Sequence, residues 1–85
     1  MAIVCLHGPL RKLAGGAELR LGGETVRALL QALEHEHPAL GGWVLDERGL
    51  IRRHINVFVN GELSALDTPL GERDRVEVLP AISGG

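Results

Sequence analysis

The chain has 85 residues and a mass of 9.1 kDa, room for one small domain that buries only about 60% of the surface its unfolded chain exposes. Nine basic residues against eleven acidic ones leave a net charge of −2, short of the positive excess that a nucleic-acid binder needs. The single cysteine, Cys5, excludes an internal disulfide, a cysteine-based zinc site and a four-cysteine iron–sulfur cluster.

Ala2-Ile3-Val4-Cys5-Leu6 is a short β-branched apolar run stopped by His7-Gly8-Pro9, and it predicts a well-covered strand. A loop is expected to run on to Ala14-Gly15-Gly16. Ala17 to Leu21 then alternates apolar and charged residues, the period of a half-buried strand that closes an opening hairpin. Thr25 is placed to cap a helix whose apolar stripe is Val26, Leu29, Leu30 and Leu33, with Arg27, Gln31, Glu34 and Glu36 outward and Pro38 forcing an end near His37. In the connection after this helix, Trp43, Val44 and Leu45 are expected to tuck onto the core, and Asp46-Glu47-Arg48-Gly49 to turn. His54 to Val59 predicts a strand with Ile55, Val57 and Val59 on one face, and Asn60-Gly61 a tight turn. Leu63, Leu66 and Leu70 mark an irregular segment. Val76 to Leu79 is the last strand, stopped by Pro80. With Trp43 and Phe58 the only aromatic residues, the core must be aliphatic.

The order strand, strand, helix, strand, short strand or turn, strand fits an α+β fold of the β-grasp type: a mixed sheet of four to five strands crossed by one main helix, the last strand beside the first and parallel to it. Residues 1–79 form that domain and residues 80–85 a flexible C-terminal tail. No apolar run reaches the roughly 18–20 residues that span a bilayer, and no signal-like segment opens the chain, so the expected setting is cytoplasmic, with neither membrane nor nucleic acid as partner.

The chain ends Leu79-Pro80-Ala81-Ile82-Ser83-Gly84-Gly85. Together with the Thr25-Val26…Leu29-Leu30…Leu33…Pro38 helix, the Ile55-Asn56-Val57-Phe58-Val59-Asn60-Gly61-Glu62 strand and turn, and Asp74-Arg75-Val76-Glu77-Val78-Leu79-Pro80, this ending resembles the MoaD/ThiS family of ubiquitin-like sulfur carriers. The resemblance implies that an E1-like adenylating enzyme, using ATP and Mg, activates the Gly85 carboxylate. Sulfur then displaces AMP, and the Gly85 thiocarboxylate donates sulfur to an acceptor enzyme. The carrier itself is then a co-substrate, not an enzyme, with no bound cofactor or metal, expected to be a monomer when free. It could also serve as the small subunit of a sulfurtransferase such as molybdopterin synthase, which its length and long connection before the third strand resemble; the carriers that feed cysteine synthesis are held close to this, and another sulfur-containing metabolite stays open as the destination.

Chemistry agrees with that expectation. A carboxylate is a poor electrophile and needs a leaving group, and the adenylation that the resemblance implies would require the chain end to enter another protein's nucleotide site. Six residues from Pro80 to Gly85 reach at most about 20 Å, and Gly84 and Gly85, lacking Cβ, suit a narrow channel with Ala81, Ile82 and Ser83 behind them. A thiocarboxylate would be anionic near neutral pH and nucleophilic at sulfur.

If Ile55, Val57 and Val59 face the helix, Asn56 and Phe58 face away; by the same alternation Glu77 and Leu79 face out beside them. Phe58 and Leu79, with Ile82 beyond and Glu77 and Asn56 around them, form a candidate partner-docking patch. Other signals read as structural. Cys5 reads as a small buried hydrophobe. His35 and His37 diverge on a helix, and His7 and His54 lack a carboxylate at ligand spacing in sequence. Arg52-Arg53-His54 reads as a solvated edge or, alternatively, as a surface that steers an acidic partner. Two other functions share this fold: a covalent protein modifier using the same Gly85, and a non-catalytic β-grasp binding module with an inert tail.

Overall fold

The computed structural model of the protein describes residues 1–80; Ala81, Ile82, Ser83, Gly84 and Gly85 lie outside the described residues. The element order is β1 (Ala2–Leu6), α1 (Pro9–Ala14), β2 (Glu18–Leu21), α2 (Val26–Glu36), a 3₁₀ turn (Pro38–Leu40), β3 (Ile55–Val59), β4 (Glu62–Leu63) and β5 (Arg75–Pro80). One five-stranded sheet forms in the order β2-β1-β5-β3-β4. β1 pairs antiparallel with β2 and parallel with β5, and β5 pairs antiparallel with β3. The last strand therefore lies at the centre beside the first, the β-grasp arrangement that the order of elements predicts.

Alternation decides which face is buried. Ala2, Val4 and Leu6 of β1, Val76 and Val78 of β5, and Ile55 and Val57 of β3 all enter one core with Val26, Leu29, Leu30 and Leu33 of α2. Those four helical residues sit at i, i+3, i+4 and i+7, so one stripe meets the sheet and the opposite side stays wet. The Thr25 Oγ1 accepts from the Ala28 N–H at 3.2 Å, the cap expected from the sequence. The two amides before Ala28 also find partners. Val26 N–H donates to the Thr68 carbonyl and Arg27 N–H to that of Leu66, both at 3.0 Å. The irregular 64–70 segment thus satisfies the helix start with backbone oxygens that helical geometry cannot supply.

Four expectations change. First, the loop expected after Gly8 is the short helix α1. Pro9 occupies its first turn, where a missing N–H costs nothing, and Gly15 caps it in the left-handed conformation at φ 75°. Leu10, 1% exposed, anchors that helix in the core. Second, Val44 and Leu45 are buried but Trp43 is not: it is 47% exposed. The chain turns at Gly42, φ 82°, immediately before it, and Glu34 Oε2 accepts from both Val44 N–H and Leu45 N–H at 3.0 and 2.9 Å. Those bonds draw residues 44–45 inward and leave Trp43 outside; Glu34, expected to be solvated, is a structural acceptor. Third, Pro80 belongs to β5, opposite Ile55. The pairing of β1 with β5 ends at Leu6–Val78, so at Pro80 one side of the strand is already an edge and tolerates a residue without an N–H. Fourth, His7 has a carboxylate neighbour in space, that of Glu77.

The Asn60-Gly61 turn is as expected. Both residues have positive φ, 52° and 85°, the twist that suits a two-residue hairpin, and Val59 pairs with Glu62 across it. Asn60 also ties the hairpin to the start of β5: its Nδ2 donates to Asp74 Oδ1, and its Oδ1 accepts from the Arg75 N–H, each at 2.9 Å.

Candidate functional site: the outer sheet face and the root of the C-terminal segment

The face of the sheet turned away from α2 carries the outward residues of every strand. Cross-strand pairs place Asn56 opposite Leu79 and Phe58 opposite Glu77. Phe58 and Leu79 therefore share this face, as alternation predicts, in diagonal rather than direct apposition. Phe58, Glu77 and Leu79 are half-buried and Asn56 is exposed. Leu63 lies opposite Phe58 on β4 and is 69% exposed. It extends the apolar strip, and sequence reasoning missed it because a two-residue strand leaves too short a run to show a period. Ile82 lies outside the described residues.

Glu77 breaks the strip and organises its other side. It sits opposite Cys5 on β1, and its Oε2 lies 3.3 Å from the Nε2 of His7. The angle between the groups does not make a hydrogen bond, and Nε2 is shielded from water with no other partner among the described residues. The contact becomes an ion pair when the imidazole is protonated. Glu18 also lies opposite Cys5, on β2. Cys5 is only 5% exposed although it faces away from the helix. Burial pushes its thiol up from the ordinary value; Arg75 opposes this, and the Glu18 and Glu77 carboxylates add to it. A thiol held protonated and shielded is a weak nucleophile, so Cys5 does not supply the chemistry of the site.

At the end of β5 the chain passes a shallow groove of about 340 Å³, walled by Trp43, Ile55 and Pro80, with Arg52 and His54 at its polar side. The last described residue, Pro80, is thus both the root of the C-terminal segment and part of a groove wall. Among the described residues no group of three or more histidine, cysteine, aspartate or glutamate side chains is placed to hold a metal ion. Among them, too, no helix is long and apolar enough to cross a membrane.

Comparison with known proteins gives this geometry its context. Small archaeal modifier protein 1 of Haloferax volcanii is 37% identical over 83 residues, covering 94% of this chain and 95% of its own. Sulfur carrier protein CysO of Mycobacterium tuberculosis is 30% identical over 83 residues, covering 89% of each chain. Among solved structures, the BexX/CysO complex of Amycolatopsis orientalis contains a chain that superposes with a TM-score of 0.87 at 28% identity, with 100% of both chains covered. The ThiS family profile matches residues 4–85, a span that takes in the terminal Gly84-Gly85. With a β-grasp sheet, a central last strand and a C-terminal glycine pair inside the matched span, the chain belongs to the ThiS family of ubiquitin-like sulfur carriers.

Proposed function

We propose that the Gly85 carboxylate is the working group of this protein, activated by an E1-like adenylating enzyme and converted to a thiocarboxylate that delivers sulfur to an acceptor enzyme. The observation that carries this reading is the family match through residue 85, joined to a fold in which the strand leading to that residue is central. In the first step a carboxylate oxygen attacks the α-phosphorus of ATP. Pyrophosphate leaves, and an acyl-adenylate forms, with Mg and ATP held by the enzyme. Hydrosulfide, or an equivalent sulfur nucleophile, then forms a C–S bond to the Gly85 carbonyl as the C–O bond to AMP breaks. The absence of Cβ at Gly84 and Gly85 lets that nucleophile approach closely.

β5 is anchored on both sides, by β1 and β3, so the domain is a rigid handle from which the last residues are offered. Phe58, Leu79, Asn56 and Glu77 form the surface that meets the enzyme. ATP–pyrophosphate exchange by the activating enzyme tests the reading: exchange is expected with the full chain and lost when Gly85 is removed. Exchange that survives the deletion unimpaired would mean that activation does not depend on Gly85.

A second reading is favoured by the similarity to small archaeal modifier protein 1. The same acyl-adenylate could be passed to a lysine amine of another protein, forming an amide instead of a thioacid. Lys12 is the only lysine here, so a polymer linked through several lysines of this chain cannot form. Incubation with lysate proteins and detection of lysines carrying the tryptic remnant of residues 76–85 in amide linkage through Gly85 separates the two fates.

A further inference from the structure

We infer that the groove at the root of the C-terminal segment is a second docking site, and that its occupant is a segment of the activating enzyme presenting an apolar side chain flanked by carboxylates. This rests on the proposed activation of Gly85 and names the chemistry of the partner that performs it.

The walls set the apolar half of the argument. Trp43 is nearly half exposed in a chain with only two aromatic residues, and it is held there by the structure. Val44 and Leu45 are tied to Glu34 through their amides and buried in the core, while Trp43 stays at the rim. With Ile55 and Pro80 it makes an apolar slot of about 340 Å³, open enough for a large side chain. Tryptophan is among the residue types enriched where interfaces are anchored.

The charges set the other half. Arg52 and His54 line the groove, and no acidic residue does. Arg53 lies between them in sequence, and both arginines are exposed. Around the corner, Arg48 is already paired with Asp46 Oδ2 at 3.2 Å, and Asp46 Oδ1 is occupied by the Arg48 and Leu50 amides. Neither Arg52 nor Arg53 has an ion-pair partner among the described residues. A chain of net charge −2 therefore keeps, among the described residues, the Arg52 guanidinium unpaired in the groove at the root of its reactive end, with that of Arg53 in the adjoining groove. Carboxylates on the partner complement them, steering encounter and fixing orientation so that the last residues point into the nucleotide site. The slot lies at the end of β5, so its occupant holds the domain close to where the terminal residues must enter.

Trp43 is the only tryptophan, so its indole N–H resonance identifies itself in a ¹⁵N-labelled full-length chain. Addition of the unlabelled activating enzyme is expected to shift or broaden that resonance. In steady-state activation, Arg52→Glu with Arg53→Glu is expected to raise KM for the carrier about tenfold, with kcat nearly unchanged and a weaker salt dependence, as loss of binding present equally in ground and transition states requires. Trp43→Ala is expected to raise KM as well, and Arg52→Lys with Arg53→Lys to restore most of the affinity. Retention of the unmodified KM by both the Trp43 and the glutamate variants, with folding checked by circular dichroism, would overturn the inference. So would a loss confined to the sulfur-acceptor step. An indole resonance that moves on deletion of residues 81–85 without any enzyme would also overturn it, giving the groove to the chain's own end. Absence of activation of the unmodified chain would instead count against the reading of Gly85, and the indole resonance, which needs binding alone, would still decide the groove.

Discussion

Glu34 shows how much one side chain can decide. A single carboxylate oxygen accepts two backbone amides from a segment ten residues away, and that choice buries Val44 and Leu45 while leaving Trp43 outside. Glu34→Ala leaves two part-buried N–H groups unpaired and is expected to cost about 1–3 kcal/mol, measured as a lower urea midpoint, with a changed Trp43 emission because the rim loosens first. Phe58→Asp places a charge on the outer face, opposite Glu77. We expect it to suppress adenylation of Gly85 with a native circular dichroism spectrum; unimpaired turnover would remove Phe58 from the docking surface. Neither the role of Glu34 nor the contact of His7 with Glu77 was legible in the sequence, because each joins residues that only the sheet and the loop bring together. The outward positions of Phe58, Leu79, Asn56 and Glu77 were legible, since alternation along a strand is local and strict.

The elements divide in the same way. α2 was readable from end to end because its signals are short-range: a threonine cap, an i, i+3, i+4, i+7 stripe and a proline stop. α1 was not, because six residues are too short a run to establish a period and its one fully buried residue, Leu10, resembles any loop leucine, with Leu13 and Ala14 only partly buried against the core; Pro9 at the start and Gly15 at the end were the available signals. The connection into α2 adds a constraint that no periodicity reveals. A Cβ at Gly23 would lie 2.7 Å from the Leu29 backbone nitrogen and 2.9 Å from its Cα, so the chain passes the helix at a distance only glycine allows. Gly23→Ala must displace backbone, not a movable side-chain tip, and is expected to cost about 1–3 kcal/mol, read from thermal or urea unfolding. Loss of far less would mean that the entry loop shifts freely and that α2 is not held from that side.

At the scale of the whole molecule, acid sensitivity is expected through two carboxylates that accept from loop amides. The Asp74 carboxyl is held below the ordinary 3.8, first by the Gly71 amide and then by Asn60. That of Asp46 is likewise lowered, first by the Leu50 amide, with Arg48 adding to it. Both folded values lie under the unfolded one, so their contribution is fully present above pH 3.8 and is lost as pH falls through the folded values. Melting temperature is therefore expected to drop below about pH 4, and Asp74→Asn with Asp46→Asn to flatten that drop; an unchanged slope in the double variant would assign acid sensitivity to other groups. At the scale of the protein, the central last strand, the outer face with Phe58 and the groove at Pro80 serve one proposed use, which is to present the terminal glycines to a partner enzyme. The most direct test is the intact mass of the full chain after incubation with ATP, Mg, a sulfide source and an activating enzyme of proven activity. The account predicts replacement of one oxygen by one sulfur, localised to Gly85 by fragmentation. An unchanged mass, with the same enzyme converting its own carrier alongside, would contradict it.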